Sequence, residues 1–434
     1  MFEASIILLF CAILLAAVIF HIPLIIALIA GLFLFLFYGL KKGHTLKGLL
    51  LCALRSSLKA RIVAIIMALI GIMTGVWRAS GTIAYIVTVS SHFFYPQVAL
   101  FMIFLLNCGV SFLIGTSFGT AASMGTICMT IANLMGLSPM LTGGAILSGA
   151  FFGDRCSPLS SSAALVAAST DTDLYKNIKA MLKSGFLPFL LTAGLYLLFG
   201  CVTGANVSAP IATSTDVFAD AFSLSARCIV PAILVLLLAL LKVPVQYNIS
   251  ASIVTAFFVG LLTQNLPVSD LFLAAVFGFY PEDSSIAMLS GGGLVSMINV
   301  IAIVCVASSY AGVLTETGIA DSLSGQIANL SKKITPYGST VVVSVICCTL
   351  SCNQSFPILM SAQLLKSSIP DKEKLALYIE NSIITLAPMI PWCIAGAVPI
   401  ATLGAPTLCL AAGFYLYLLP LVTFIREFHK IRSH

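Results

Sequence analysis

The chain has 434 residues, 60% of them hydrophobic and 8% charged, with 21 Lys and Arg against 15 Asp and Glu for a net charge of +6. A soluble domain carries about 25% charged residues, so this composition excludes an ordinary soluble protein, a disordered chain and a coiled coil. A membrane helix needs roughly 20 apolar residues, so the length holds about 12 spans and leaves little for an extramembrane domain.

Two apolar runs come first, at 5–21 and 23–39, hinged at His21-Ile22-Pro23. With Glu3 in place of a basic leader, they read as membrane spans rather than a cleavable signal. Lys41, Lys42, Lys47, Arg55, Lys59 and Arg61 follow and read as a cytoplasmic loop by the positive-inside rule. A tight turn at the hinge puts the N-terminus on that same side. Lys176, Lys179 and Lys183 form a second basic stretch, and Arg426, Lys430 and Arg432 a third at the tail. These clusters orient the bundle and meet anionic headgroups. No basic, aromatic-interleaved domain is present to bind nucleic acid.

A run at 61–77 meets Trp77-Arg78, and 97–114 is strongly apolar. From Gly115 to Gly153 the chain turns to Gly, Ser, Thr and Ala, and a polar cluster occupies 154–170. Apolar runs resume at 182–202, 226–241, 247–264 and 267–280, around a polar stretch at 203–225 that reads as an exposed loop with Asn206, Asp216 and Asp220. The second half repeats this order. A run at 293–314 leads to Glu316, another at 337–350 leads to a polar break at 351–355, and 376–396 carries Glu380, Asn381, Pro388, Pro391 and Trp392. The last run is 398–421. Gly75-Val76-Trp77-Arg78-Ala79-Ser80-Gly81 also compares with Gly312-Val313-Leu314-Thr315-Glu316-Thr317-Gly318, and the same offset carries Gly115 to Cys352. Interrupted apolar segments in matching positions of two halves point to the site of a secondary transporter. The chain then divides into N-terminal spans with the basic loop (1–60), a first transport repeat (61–204), connecting spans (205–290) and a second transport repeat with the basic tail (291–434).

The 13 Cys lie mostly inside apolar runs, without CxxC or Cys/His zinc spacing, and read as small buried hydrophobes. No GxxxxGK[ST] and no HExxH occur, which argues against an ATP-driven pump and a zinc protease. Gly115-Thr116-Ser117-Phe118-Gly119 fits the GxSxG of a serine hydrolase. That elbow needs a preceding strand and a His base. Here an apolar membrane run precedes it, and His21, His44, His92, His429 and His434 fall at span ends, in loops or in the tail. Close helix packing or backbone exposed at a helix break explains the glycines better, and the chain is not expected to be an enzyme.

Acidic residues inside a membrane are functional candidates by default. Asp154 follows the apolar run 145–152, Glu380 lies among Tyr378, Asn381 and Ser382, and Glu316 is a weaker third. The plainer alternatives are a helix cap paired with Arg155 for Asp154 and an interfacial position beside the charged residues 371–374 for Glu380. Pro158 and Pro391 break helices, which is tolerated at membrane depth only where protein or a wet cavity satisfies the backbone. Freed carbonyls, hydroxyls and a carboxylate are hard ligands that suit Na⁺ or a proton rather than a soft metal. A carboxylate in such a site holds a proton or Na⁺, not both, which is the minimal machinery of an exchanger. Arg78 caps a helix end beside Trp77, snorkels, or faces a site.

Trp77-Arg78-Ala79-Ser80-Gly81-Thr82, Gly115-Thr116-Ser117-Phe118-Gly119-Thr120, Phe152-Gly153-Asp154-Arg155-Cys156-Ser157-Pro158-Leu159-Ser160, Gly292-Gly293-Leu294-Val295-Ser296-Met297 and Ile390-Pro391-Trp392 together resemble the NhaC-type sodium/proton antiporter family of the ion-transporter superfamily. The match covers roughly 60–200 and 290–410. The resemblance implies an all-α polytopic membrane protein in two inverted repeats, with broken helices and re-entrant hairpins, often a homodimer. It places Thr116 and Ser117 on the first hairpin and Asn353, Gln354 and Ser355 on the second. Asp154 and Ser157 would stand at the first broken helix, and Glu380 and Asn381 at the second. Family members often continue the Ser-Pro-Leu-Ser motif with Asp-Thr-Thr, where this chain has Ser161-Ser162-Ala163. Fewer acids, with Arg78 and Arg155 nearby, would suit an anionic organic solute.

The expected function is sodium/proton antiport by alternating access in the bacterial inner membrane, without a cofactor beyond the transported Na⁺. Asp154, Thr116 and Asn353 would contact Na⁺, and Glu380 would be a second carboxylate. The alternative is a Na⁺- or H⁺-coupled transporter or exchanger of a small carboxylate or amino acid.

Overall fold

The computed structural model describes residues 2–20, 22–59, 61–90, 95–204, 218–241, 243–283, 286, 289–317, 335–351, 353–366 and 368–432. Asn206 and Asp216 of the polar stretch, Gly318 and Cys352 of the comparison between halves, and His21, His92 and His434 lie outside the described residues. The side chains of Cys11, Lys59, Lys430 and Arg432 do so too.

The described chain is helical, with one isolated bridge between Phe279 and Gly291. Helices α1 (Phe2–Ile19) and α2 (Leu24–Lys41) form the antiparallel pair expected around the first hinge. The basic stretch that reads as a loop is largely a helix, α3 (Leu46–Lys59). Its leucines explain this: Leu46, Leu50, Leu54 and Leu58 fall at fourfold spacing on one exposed face, where they can meet lipid. Helix α4 (Arg61–Ala79) is followed by α5 (Thr82–Ser90), α6 (Pro96–Ile114), the short α7 (Ser117–Thr120), a π-helical turn (Ala121–Gly125) and α8 (Thr126–Leu134). Then come α9 (Pro139–Cys156), α10 (Ser161–Thr170) and the long α11 (Leu174–Gly204), which absorbs the second basic stretch into its first turns. The connecting helices are α12 (Val230–Leu240), α13 (Val245–Thr263) and α14 (Val268–Val276). The second half has α15 (Ile298–Glu316), α16 (Pro336–Ser351), α17 (Ser355–Leu365), α18 (Lys372–Leu386), α19 (Ile394–Leu403) and α20 (Phe414–Arg432).

The run 398–421 is not one span, contrary to its continuous apolar letters. Gly404 takes a left-handed φ of 62° and caps α19, and Pro406 opens a 3-10 turn (Thr407–Ala412) before α20 starts. The second broken span is therefore α18 with α19, bent by 52° across residues 390–393. Among the described residues, α4, α6, α11 and α13 are each long and apolar enough to cross a membrane, and the bent pair makes a fifth crossing.

The same order of elements occurs in each half: a helix (α6, α16), a short returning segment (α7–α8, α17), a broken helix (α9/α10, α18/α19) and a long closing helix (α11, α20). The pairing between halves is reciprocal. Helix α10 packs on α17, and α19 packs on α7 and the π turn. Helices α6 and α9 touch most closely, because a Cβ on Gly149 or Gly153 would lie within 2.7 Å or 2.2 Å of the backbone or Cβ atoms of α6. Small residues four apart let helix backbones meet in this way. Against this core stand α2, α3 and α4, which pack on α15, with an aromatic knot of Phe10, Phe35 and Tyr310 joining α1, α2 and α15 at centroid distances of 4.8–5.8 Å.

Ion pairs gather at one end of the core. Lys372 Nζ lies 2.6 Å from Asp171 Oδ2, Lys176 Nζ 3.7 Å from Glu373 and Lys374 Nζ 3.1 Å from Glu427. The start of α11, the start of α18 and the end of α20 therefore share a face.

Candidate ion site at the helix breaks

Helix α6 ends where Gly115 turns left-handed at φ 76°, a conformation glycine adopts freely. A Cβ there would lie 2.5 Å from the carbonyl carbon of Leu159, so glycine also lets the two breaks touch. Thr116 caps α7, accepting from the Gly119 amide at 3.5 Å, and the next side chain, Ser117, donates to Asp154 Oδ2 at 3.0 Å.

Asp154 lies in the last turn of α9, ahead of the break at Ser157-Pro158-Leu159-Ser160. Ser160 caps α10 and lies 3.2 Å from Asp154 Oδ1, and Ser162 donates to the same oxygen at 3.0 Å. Three hydroxyls thus serve one carboxylate that is 5% exposed. Such charge-assisted bonds are the stronger kind.

Asp154 opens on a cavity of ≈ 780 Å³. Thr116 and Ser117 line it from the first half, and Asn353, Gln354 and Ser355 line it from the second. Asn353 Oδ1 accepts from the Phe356 amide at 3.0 Å and so fixes the start of α17, while Gln354 Nε2 is buried without a hydrogen-bond partner among the described residues. The first turns of α10, α17 and α19 also reach the cavity, through Ser161 and Ser162, Ser355 and Phe356, and Ile394 and Ala395. Among the described residues, no Lys, Arg or His lines it. Among the described residues, no group of three or more His, Cys, Asp or Glu is placed to hold a metal ion. The polar lining is hydroxyl, amide and carboxylate, a donor set suited to a hard monovalent cation.

The other sequence candidates lie away from the cavity. Ser157 is fully buried, and its hydroxyl accepts from the Leu159 amide at 3.1 Å, which supports the break itself. Asn381 accepts from the Arg155 guanidinium and donates to Thr423 at 3.1 Å. Glu380 is fully buried, and among the described residues neither carboxyl oxygen has a hydrogen-bond partner. It lies in the electrostatic field of Arg155 and Asp154.

Arg155 does not cap Asp154 and does not face a solute. Its guanidinium is wholly buried and donates to Tyr415 at 3.1 Å, to the Met181 carbonyl at 3.1 Å, to Ser184 at 3.0 Å and to Asn381. It thereby ties α9, α11, α18 and α20 together behind the cavity. Arg78 donates to the Ser290 carbonyl at 2.8 Å, in the turn that wraps α4. The anionic-solute argument from these two arginines therefore has no geometry behind it.

Sequence reasoning left out several lining residues. Ser161 and Ser162 read as departures from a motif, yet Ser162 bonds Asp154 and both line the cavity. Ser56 of α3 and Ser308 and Gly312 of α15 form the opposite wall. A Cβ on Gly312 would lie 2.2 Å from Ser56 Oγ, so the glycine is what lets α3 lie against α15 here. Paired serines in an apolar run, Ser308-Ser309, were the one available signal.

Residues 2–171 and 149–426 match the Na⁺/H⁺ antiporter family. The chain is similar to an uncharacterised Na⁺/H⁺ antiporter of Haemophilus influenzae, with 27% identity over 86% of this chain and 83% of that protein. It is also 27% identical to the Na⁺/H⁺ antiporter NhaC of Alkalihalophilus pseudofirmus, over 93% and 89% of the two chains. The malate-2H⁺/Na⁺-lactate antiporter of Bacillus subtilis is 24% identical over 94% and 90%. With a site of hydroxyls, amides and one carboxylate between two broken spans, and a family match along nearly its whole length, the chain belongs to the Na⁺/H⁺ antiporter family.

Proposed function

We propose that this chain exchanges Na⁺ for H⁺ across the cell membrane by alternating access, with Asp154 as the carboxylate at which the two cations compete. The observation that carries this reading is the junction of both halves at one acid. Asp154 is held by Ser117, Ser160 and Ser162 and shares its cavity with Thr116, Asn353, Gln354 and Ser355. Thr116 and Asn353 complement Asp154 as Na⁺ ligands, one from each half. Glu380 is a second buried carboxyl behind the site, while Ser157 holds the first break in shape and Asn381 anchors Arg155.

Residues 61–204 and 291–434 form the two transport repeats in inverted orientation, carried by 1–60 and 205–290 as the surrounding frame. The shared face of Lys176, Lys374 and Glu427 supports a cytoplasmic placement of both later basic stretches. The protein works in a bacterial inner membrane as a homodimer.

The test is Na⁺-induced dequenching of a pH-sensitive dye in inverted vesicles. A strong wild-type signal that disappears in Asp154→Asn supports the reading, and an unchanged signal removes Asp154 from the coupling.

One observation favours a second reading, coupled exchange of a small organic solute. The cavity of ≈ 780 Å³ far exceeds a bare cation, and first turns of helices reach it. Counterflow of labelled malate, lactate or arginine in proteoliposomes separates the two readings.

A further inference from the structure

We infer that an anionic phospholipid seats its phosphate between α11 and α20, on Lys179, Lys183 and Arg426. The inference is independent of which ion or solute the chain carries. Helix α11 sets the depth of the seat. It runs 31 residues from Leu174 to Gly204, well beyond the roughly 20 that a crossing needs. Residues 184–204 hold no charged residue and have the length of one crossing, so the lysines just before them stand at headgroup depth. Lys179 and Lys183 share a helix face with Phe186 and Leu190, at steps of four, three and four, and all four side chains are exposed. One stripe thus offers cations to a headgroup and apolar surface to its acyl chains.

Arg426 reaches the same place for a backbone reason. Pro188 lies inside α11 and has no N–H, so the Ser184 carbonyl four residues earlier loses its helical donor. Arg426 Nη1, from α20, donates to that carbonyl at 3.4 Å. The exposed guanidinium is thereby held beside Lys183. Its neighbours at this end of the bundle are matched: Lys176 with Glu373, Lys372 with Asp171 and Lys374 with Glu427. Among the described residues, Lys179, Lys183 and Arg426 have no acidic partner. Basic pockets between spans at the headgroup level hold anionic lipid headgroups, and a guanidinium can bind a phosphate through two parallel hydrogen bonds.

The seat backs onto the Arg155 anchor. Ser184 Oγ accepts from Arg155 at 3.0 Å while the Ser184 carbonyl accepts from Arg426. A Cβ on Gly185 would lie 2.9 Å from Arg155 Nη1 and 3.1 Å from the Tyr415 hydroxyl, so α11 meets the buried guanidinium closely at this level. A phosphate that draws Lys183 and Arg426 together therefore braces α11 against α20 where both hold Arg155.

The experiment titrates the purified full chain in detergent with phosphatidylglycerol, with phosphatidylcholine or with inorganic phosphate. It follows the unfolding temperature and, by native mass spectrometry, the lipid retained. Phosphatidylglycerol is expected to raise the unfolding temperature and to stay bound, and the other two to do neither. Lys179→Gln with Lys183→Gln removes two cations that hold nothing else in place. At the usual worth of a basic residue near an anionic surface, it should raise the half-effect concentration of phosphatidylglycerol by about thirtyfold. Lys47→Gln with Arg55→Gln removes as much charge from exposed positions on α3 and should leave that concentration unchanged. Equal losses in the two variants reduce the seat to general surface attraction and overturn the inference. So does an equal effect of phosphatidylcholine, or an equal effect of inorganic phosphate alone. If a variant fails to fold, the wild-type comparison of the three additions decides.

Discussion

Replacing Asp154 by Asn separates the site's electrostatics from its packing. Asp154 Oδ2 accepts from Ser117 at 3.0 Å, and Oδ1 accepts from Ser162 at 3.0 Å with Ser160 at 3.2 Å. An asparagine keeps one of those acceptors and turns the other into an amide N–H donor. Serine hydroxyls both donate and accept, so each can rotate to suit the new group. The fold should therefore survive, with thermal unfolding shifted by a few degrees at most. What disappears is the charge. A cation within about 4 Å of a unit charge, at an effective dielectric near 20, is attracted by about 4 kcal/mol, or about a thousandfold in affinity. The remaining polar ligands, Thr116, Asn353 and Ser355, carry no charge to replace it. Labelled-Na⁺ exchange over a wide concentration range should find half-saturation displaced beyond measurement. A variant that folds and keeps its half-saturation within about tenfold of wild type would mean that Asp154 does not face the transported ion.

Arg155→Met removes bonds to Tyr415, Met181, Ser184 and Asn381 and leaves their acceptors buried. At about 1.5–3 kcal/mol per bond to a charged group, losing two of them costs about 3–6 kcal/mol; an unfolding temperature in detergent equal to wild type contradicts this. Gly153→Val drives a Cβ to 2.2 Å from the Ser111 carbonyl carbon, so α6 and α9 must separate at a cost of at least about 1–3 kcal/mol. Folded yield should fall sharply, and a normal yield refutes the close packing. At the ion-paired face, the Lys372 ammonium holds exposed Asp171 below the usual carboxylate range. A depressed folded value gives a stabilising contribution that is present above the ordinary carboxylate range and is lost as pH falls through the folded value. Wild type and Asp171→Asn should thus converge in stability on acidification; divergence contradicts the pairing.

Asp154 was legible in the sequence because a charge inside apolar letters, followed by a proline, has few structural uses. Thr116, Ser117 and Asn353 were legible for a related reason: small polar residues collect where a membrane helix breaks, and the same breaks recur in both halves. What could not be read is which side of a helix each polar residue takes. Glu380 and Asn381 interrupt their run just as Asp154 does, yet Arg155 holds Asn381 behind the cavity, a choice made by contacts across more than two hundred residues. Ser56 was invisible in a stretch whose lysines and arginines outweigh its leucines as a signal, although the leucines decide that it is a helix. The false span at 398–421 failed for a backbone reason, since Gly404 and Pro406 end a helix without changing hydrophobicity.

Two buried carboxyl groups with opposite surroundings divide the site's work. Asp154 has a donor at each oxygen and an open cavity in front of it, so the ion that replaces water there meets a prearranged acceptor. Among the described residues, Glu380 has no donor at either oxygen, and it has no place on the cavity wall. An unpaired buried carboxylate is costly, and its compensation here is the fixed guanidinium of Arg155. Arg155 thus compensates Glu380 and leaves Asp154 as the carboxylate that faces the cavity. The arginine that, from sequence, suits an anionic solute instead holds α9, α11, α18 and α20 together behind the cavity.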